Sequence, residues 1–326
     1  MEKIKINLDK ITLNKLYQDM SAFNYVKVNG DLNKNKFLNV LIKNYFPIYD
    51  DIANKEIKKI SQIITTYIND LKYANLIINE LVKSDDLFSF NKENNLKEFI
   101  SFKPSTYNSN IIQIIYNKYL KYQSLSSFFR KMISHYLSLP QYKREQIIFL
   151  ENYTLICEAI ESKRKISILL KDTAKEVTPY KIVTNKEEIY NYLICFSDNK
   201  SSINISSYHL FKIDHIYLHN ERVSINENNH KLLDQVANYS PQFPFSKIQN
   251  SLIELTENGI KLFQSKYLNR PMPYKIENNK YYFNCSPTHL LVYFFSFGKD
   301  AKVIEPSTLK ETFKKAYLDA YDSYKE

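Results

Sequence analysis

One order of local patterns occurs twice in the first half of this 326-residue sequence. Residues 3–8, KIKINL, alternate apolar and polar side chains, which is typical of a short half-buried strand. A helical stretch, a turn at residues 29–31 and a second helix, NKFLNVLIKNYF, follow. Residues 98–103, EFISFK, alternate again and precede Pro104, a helical stretch, a polar turn and the helix SLSSFFRKMISHYL. The sequence therefore predicts strand, helix, turn and helix in two copies.

This repeated order resembles the ribbon-helix-helix fold over residues 1–140. In that fold the strands of two units pair as an antiparallel ribbon that enters the DNA major groove, and the start of each second helix holds a phosphate with backbone N–H groups. The two units normally come from two chains. The resemblance here implies that one chain supplies both, joined by a helical insert at residues 51–95. The alternative is an ordinary helical domain.

The resemblance implies candidate nucleic-acid-binding residues in both copies. On the exposed side of the ribbon they are Lys3, Lys5, Asn7, Ser101 and Lys103. Near the helix starts they are Asn35, Ser124, Ser126 and Ser127, and Ser124 or Ser126 is the expected N-cap. Each lysine taken alone also fits a solvated strand face. Only the pairing of both strands in one ribbon would make these residues a site.

From about residue 153 the sequence becomes rich in short apolar strands. Residues 190–196, YNYLICF, place two tyrosines, Ile194 and Phe196 on one face, and Asn191, Leu193 and Cys195 on the other. Both faces are largely apolar, as in a central strand that is covered on both sides. The close spacing of these strands predicts a small barrel.

Residues 141–225, a linker helix and this barrel, resemble a WYL domain, a compact Sm-like or SH3-like barrel of bacterial regulators. The first strand matches at Lys165-Ile166-Ser167-Ile168, the proline-led strand at Pro179-Tyr180, and the naming tripeptide at Asn191-Tyr192-Leu193, where asparagine replaces tryptophan.

A later strand of the WYL family carries arginines that bind nucleic acid or a nucleotide-like effector. Ser206, His209 and Lys212 stand at those positions here, and Lys212 alone keeps a permanent charge. The alternative is an exposed strand edge kept soluble by polar groups.

Residues 226–326 resemble the small α/β extension that follows many WYL domains. KYYFNCS predicts a strand, LLVYFFSF a helix that Gly298 ends, Val303-Ile304 a short edge, and Pro306-Ser307 the start of the last helix. That helix has an apolar stripe, which consists of Leu309, Phe313, Ala316, Tyr317 and Ala320. Such extensions mediate dimerisation, so the resemblance implies a homodimer; the alternative is that the stripe belongs to the core.

The sequence lacks the motifs of common enzyme sites. Its three glycines, Gly30, Gly259 and Gly298, rule out a glycine-rich phosphate loop, and its three cysteines are widely spaced. His215 and His219 would lie roughly 13 Å apart in a strand, too far to share a zinc ion. We therefore expect no catalytic residue, no metal and no cofactor, and a protein that is not an enzyme.

The formal charge of +10 favours a nucleic-acid partner, although an AT-rich coding sequence would also raise the lysine content. The longest apolar run, at residues 290–297, is too short to cross a bilayer, and the sequence begins without an apolar leader. We expect a cytoplasmic protein with no membrane partner.

The whole α+β architecture, two ribbon-helix-helix-like units, a WYL barrel and an extension, resembles the WYL accessory proteins of type VI-D CRISPR systems. The resemblance implies a protein that binds single-stranded RNA and enhances an RNA-guided effector ribonuclease. A DNA-binding transcriptional regulator, with an operator-reading ribbon and a ligand-sensing barrel, is the first alternative. A hydrolase with an unrecognised site is the second.

Overall fold

The strands at the start of the two repeats pair with each other. β1 (Ile4–Leu8) runs antiparallel to β2 (Glu98–Phe102), and Ile6 lies opposite Ile100. The structure is a computed structural model. It describes residues 2–83, 97–119, 123–184, 190–199, 202–239, 241–245 and 250–325. The chain forms two units, residues 1–150 and residues 151–326.

The remainder of the described first unit is mainly helical. Its helices are α1 (Lys10–Ala22), α2 (Lys34–Tyr67), α3 (Leu71–Lys83), α4 (Thr106–Lys118), α5 (Leu125–Ser138) and α6 (Gln141–Ile148), and α7 (Leu150–Glu161) leads into the second unit. Side-chain caps begin α1, α4 and α5 at Asp9, Ser105 and Ser124. The predicted order of strand, helix, turn and helix is confirmed in the first copy. In the second copy the strand and both helices are confirmed, Ser124 is the cap of α5, and the first part of the predicted turn KYQS lies outside the described residues.

The alternating pattern decides which side of the paired strands is buried. Ile6, Leu8, Ile100 and Phe102 are at most 2% exposed. These four side chains pack against a helical core. Their burial stabilises the folded state, since each Å² of apolar surface removed from water contributes about 25 cal/mol. The polar positions between them face outward.

The predicted helical insert at residues 51–95 begins within a long helix, and its bounds stay a prediction. α2 continues without a break from Lys34 to Tyr67 and passes through Pro47. The buried side of α2 reaches Ala53, beyond which its residues are half-buried or exposed. The burial of α2 side chains therefore stops before the helix does. α3 follows, and residues 84–96 of the predicted insert lie outside the described residues.

A buried ion pair fastens α6 to α1. The side chain of Asp19 is 2% exposed, and Arg144 donates to both of its carboxylate oxygens at 2.7 Å. Arg144 also donates to the backbone oxygen of Leu139. Two parallel bonds of this kind add geometric specificity to the attraction between the charges.

The second unit begins with an open five-stranded antiparallel sheet. Its strands are β3 (Arg164–Leu170), β4 (Thr173–Thr184), β5 (Asn191–Asn199), β6 (Ser202–His209) and β7 (His215–Arg222), in the order β6-β5-β4-β3-β7. The earlier part of β4 pairs with β3, and the later part pairs with β5. A bulge between Pro179 and Lys181 interrupts the pairing with β5.

The predicted barrel is not closed in the described part of the chain. β6 and β7 are the two edges of the sheet and do not pair. A 3-10 helix, Leu210–Lys212, separates them, and β7 pairs with β3 instead. The sequence pattern predicted that Lys212 shares a strand with Ser206 and His209. It does not, because Lys212 lies in the 3-10 helix and the other two residues lie in β6.

The strand YNYLICF has the double burial that its sequence predicts. Tyr192 is 3% exposed and lies with Ile194 and Phe196 in an apolar cluster that includes α8 (Glu227–Tyr239). Leu193 and Cys195, on the other face, are buried as well. The tyrosine at position 192 is therefore a core residue.

A second antiparallel sheet organises the last part of the chain. Its elements are β8 (Asn250–Leu255), α9 (Glu257–Ser265), β9 (Pro273–Glu277), β10 (Lys280–Asn284), α10 (Pro287–Phe294), β11 (Ala301–Glu305) and α11 (Ser307–Asp322), with the strand order β11-β8-β10-β9. Sequence patterns predicted β10, α10, β11 and α11, and missed β8, α9 and β9. Leu309 and Phe313 of the predicted stripe belong to the core of this part, so the homodimer stays a prediction.

The helices of the described residues include none with the length and apolar character that crossing a membrane requires.

Candidate nucleic-acid interface

The outward side of the two paired strands carries charge, polar groups and one aromatic ring. We call Lys3, Lys5, Asn7, Phe99, Ser101 and Lys103 the ribbon face. Lys5 lies opposite Ser101, and Asn7 lies opposite Phe99. Ser101 is half-buried and the other five are exposed. The structure thus brings all five sequence-predicted ribbon residues to one surface.

Phe99 is a member of the ribbon face that the sequence analysis missed. It is 52% exposed, and the Lys5 Nζ lies 4.1 Å from the centre of its ring. The alternation of EFISFK already placed Phe99 on the same side as Ser101 and Lys103. Its apolar character at the start of a strand gave no sign of a binding role.

A pocket of about 570 Å³ adjoins the ribbon face. We call it the lysine pocket. Its lining residues are Lys3, Tyr17, Lys27, Asp31, Leu32, Asn33, Lys34, Asn35, Ser101, Phe102 and Lys103. Four lysines and one carboxylate make it basic. Because phosphates attract clustered lysines and release counterions when they bind, such a pocket suits a nucleic-acid backbone.

Local contacts hold the lysines of the pocket in place. Lys34 Nζ donates to the Tyr17 hydroxyl at 2.8 Å and lies 4.5 Å from the centre of that ring. Lys27 belongs to a turn in which its backbone N–H donates to Asp31 O at 2.8 Å. Gly30 has a φ of 86° in this turn, a conformation that favours glycine. The predicted turn at residues 29–31 therefore positions Lys27.

The predicted phosphate-holding residues at the helix starts have bonds within the fold. Asn35 Oδ1 accepts from the Lys103 N–H at 2.7 Å, and Ser126 Oγ accepts from the Asn7 N–H at 2.9 Å. Ser124 Oγ accepts from the Ser127 N–H. The oxygens of Asn35 and Ser126 fasten the starts of α2 and α5 to the ribbon, and the oxygen of Ser124 caps α5. Their contact with phosphates stays a prediction.

Asn39 is a positioning residue that no sequence signal indicated. Its Nδ2 donates to Lys103 O at 3.0 Å, and its Oδ1 accepts from the N–H of Ser105 at 2.7 Å. It therefore holds the chain just after β2 against α2. Together with Asn35, it fixes the backbone of Lys103 at the edge of the lysine pocket.

The three candidates in the second unit have different environments. Ser206 lies in β6, and its backbone oxygen accepts a weak bond from the Cys195 thiol. His209 ends β6, and its ring lies among those of Tyr190, Tyr192 and Phe211. Burial, with a smaller effect of the Lys212 charge, lowers the pKa of His209 to about 4. Near neutral pH the charge at these three positions is therefore that of Lys212.

Replacement of His209 by phenylalanine (His209→Phe) is expected to make the protein less sensitive to acid. A histidine with a lowered folded-state pKa binds its proton more readily when unfolded, so stability is lost as the pH falls from about 6.5 towards about 4. Phenylalanine keeps an aromatic ring in the cluster and cannot titrate. Urea midpoints between these pH values measure the effect; an equal loss in both proteins would contradict this environment for His209.

Metal-ligand clusters are absent from the described residues, where no group of three or more histidine, cysteine or acidic side chains converges. His215 and His219 lie on one strand, β7, as predicted. His219 Nε2 lies 2.7 Å from Ser167 Oγ. The ring of His219 is thus part of a polar contact within the sheet.

Comparison with known proteins gives a likeness over nearly the whole chain. The solved structure described as a CRISPR Cas-related protein is 21% identical, has a TM-score of 0.66, and is matched over 99% of this chain and 94% of that chain. Proteasome accessory factor B/C (PafBC) of Arthrobacter aurescens is 16% identical over 62% of this chain and 32% of that chain, with a TM-score of 0.27, which supports no argument. No protein-family model and no curated protein matches. The first likeness shows that this chain shares a fold with a CRISPR Cas-related protein.

Proposed function

We propose that this chain is a non-enzymatic accessory protein that binds single-stranded RNA and modulates the RNA-guided ribonuclease of a type VI-D CRISPR system. In this proposal residues 1–140 are a ribbon-helix-helix-like domain and residues 141–225 a WYL domain. The fold shared with a CRISPR Cas-related protein supports the setting. The antiparallel ribbon, with two helices after each strand, supports the domain type.

The observation that carries the proposal is the meeting of the ribbon face and the lysine pocket. Lys3, Ser101 and Lys103 belong to both, and Lys27 and Lys34 join them from outside the ribbon. A single strand is bound by a basic groove that follows its backbone and by aromatic side chains on which bases stack. The pocket supplies the first feature, and the exposed ring of Phe99 supplies the second.

A DNA-binding transcriptional regulator is the second candidate. The paired strands favour it, because the major groove of B-form DNA is wide enough to admit a two-stranded ribbon. In that case Lys3, Lys5, Asn7 and Ser101 would contact base edges and phosphates. A CRISPR array and a large nuclease gene beside the coding sequence would favour the accessory role instead.

Affinities for single-stranded RNA and for duplex DNA of matching sequence separate the two candidates. They are compared by fluorescence anisotropy at one ionic strength of about 0.15 M, since affinities without a stated salt concentration cannot be compared. We expect the RNA to bind at least about tenfold more tightly, because stacking needs unpaired bases. Equal or tighter binding of duplex DNA, with preference for one sequence, would overturn the RNA proposal in favour of a regulator.

A further inference from the structure

We infer that Phe99 is a stacking platform for an unpaired base, so that the ribbon face itself selects single strands over duplexes. This inference rests on the proposed function, which it deepens by assigning the selection to one side chain. Phe99 is the aromatic member of the ribbon face, where the remaining members are lysine, asparagine or serine. The residue is 52% exposed in the folded protein.

The packing of the first unit does not explain the outward ring. The core beneath the ribbon is formed by the opposite face, where Ile100 and Phe102 are at most 2% exposed. Lys5 lies over the Phe99 ring at 4.1 Å, an exposed contact of the kind that contributes only modestly to stability. A flat ring beside a cation is complementary to a nucleotide, because the base can stack on the ring and the phosphate is attracted to the cation.

The spacing along β2 lets one strand use both features. Lys103 lies four residues after Phe99, roughly 13 Å along an extended strand. Lys5 lies opposite Ser101 with its Nζ near the Phe99 ring, and the lysine pocket lies further along at the Lys103 end, so positive charge continues in one direction from a base at Phe99. In a duplex the base faces are stacked on one another and only the edges are accessible, so the ring would have no partner.

Replacement of Phe99 by leucine (Phe99→Leu) tests the role of the ring, because leucine is apolar but not flat. We expect its affinity for a short oligouridylate to fall about tenfold at an ionic strength of about 0.15 M, since one stacked base contributes an effect of this size. Phe99→Tyr, which retains a ring, should bind as the unmodified protein does. Tyr116→Leu is the matched control, because Tyr116 is a 50% exposed aromatic residue near the far end of α4.

The second arm removes the bases instead of the ring. An oligonucleotide with the same backbone and abasic positions should bind the unmodified protein and Phe99→Leu equally. Equal losses on both oligonucleotides would show that Phe99 contacts something other than a base, and would overturn the inference. So would undiminished oligouridylate binding by Phe99→Leu when loss of the ribbon lysines weakens it. If the unmodified protein bound neither of the two oligonucleotides, this result would instead refute the proposed function.

Discussion

Charge reversal at both Lys3 and Lys103 (Lys3→Glu with Lys103→Glu) is expected to lower the affinity for single-stranded RNA by about a hundredfold at an ionic strength of about 0.15 M. Both side chains line the lysine pocket, and both are exposed. The double variant loses two phosphate contacts and adds two charges that repel the backbone. Each lost contact should also lower the slope of log affinity against log salt by about 0.7.

A matched control separates a local site from the overall charge. Lys310→Glu with Lys315→Glu, at two exposed lysines of α11, changes the net charge by the same amount. We expect it to retain nearly all of the affinity. Melting temperatures of both double variants should stay close to that of the unmodified protein, because substitutions of exposed side chains usually change stability little. Equal loss of RNA binding in the two variants would discard the ribbon as the contact surface.

Truncation of Tyr192 to alanine (Tyr192→Ala) is expected to lower the free energy of unfolding by roughly 3 to 5 kcal/mol. The ring is 3% exposed and packs in the cluster formed with Leu233, Val236 and Ala237 of α8. Alanine would leave a cavity there, and the neighbours could close it only in part. Urea denaturation followed by circular dichroism measures the loss.

Tyr217→Ala is the control for this truncation. Tyr217 lies on β7 of the same sheet and is 64% exposed. Its loss should change the free energy of unfolding by at most about 0.5 kcal/mol. A Tyr192→Ala variant as stable as Tyr217→Ala would mean that the strand YNYLICF does not form the core described above.

Sequence patterns predicted the short-range features of the first unit well. Alternation in KIKINL and EFISFK places Ile6 and Ile100 on the buried side, because neighbouring side chains of a strand point to opposite faces. Ser124 caps α5, since a serine oxygen at that position satisfies a backbone N–H of the first turn. The same alternation places Phe99 on the exposed side of the strand, although an apolar side chain is ordinarily expected to be buried.

Other features of the candidate site depend on contacts between residues that are distant in the chain. Lys3, Lys27, Lys34 and Lys103 line one pocket because β1 pairs with β2 and because the turn before α2 folds back beside them. The lowered pKa of His209 likewise comes from burial among rings contributed by β5 and its flanking residues. Neither could be read from spacing.

The order of apolar and polar residues was enough to decide where most strands and helices of the first unit lie and which sides are buried, because both depend on a period of a few residues. Which strand pairs with which, whether the sheet closes, and which lysines meet were decided only when the whole chain packed. β7 pairs with β3 and leaves the sheet open, and no local pattern carries that information. Pairing of distant segments is set by the burial and hydrogen bonding of the complete fold, since the same short strand can satisfy its backbone with any suitable partner.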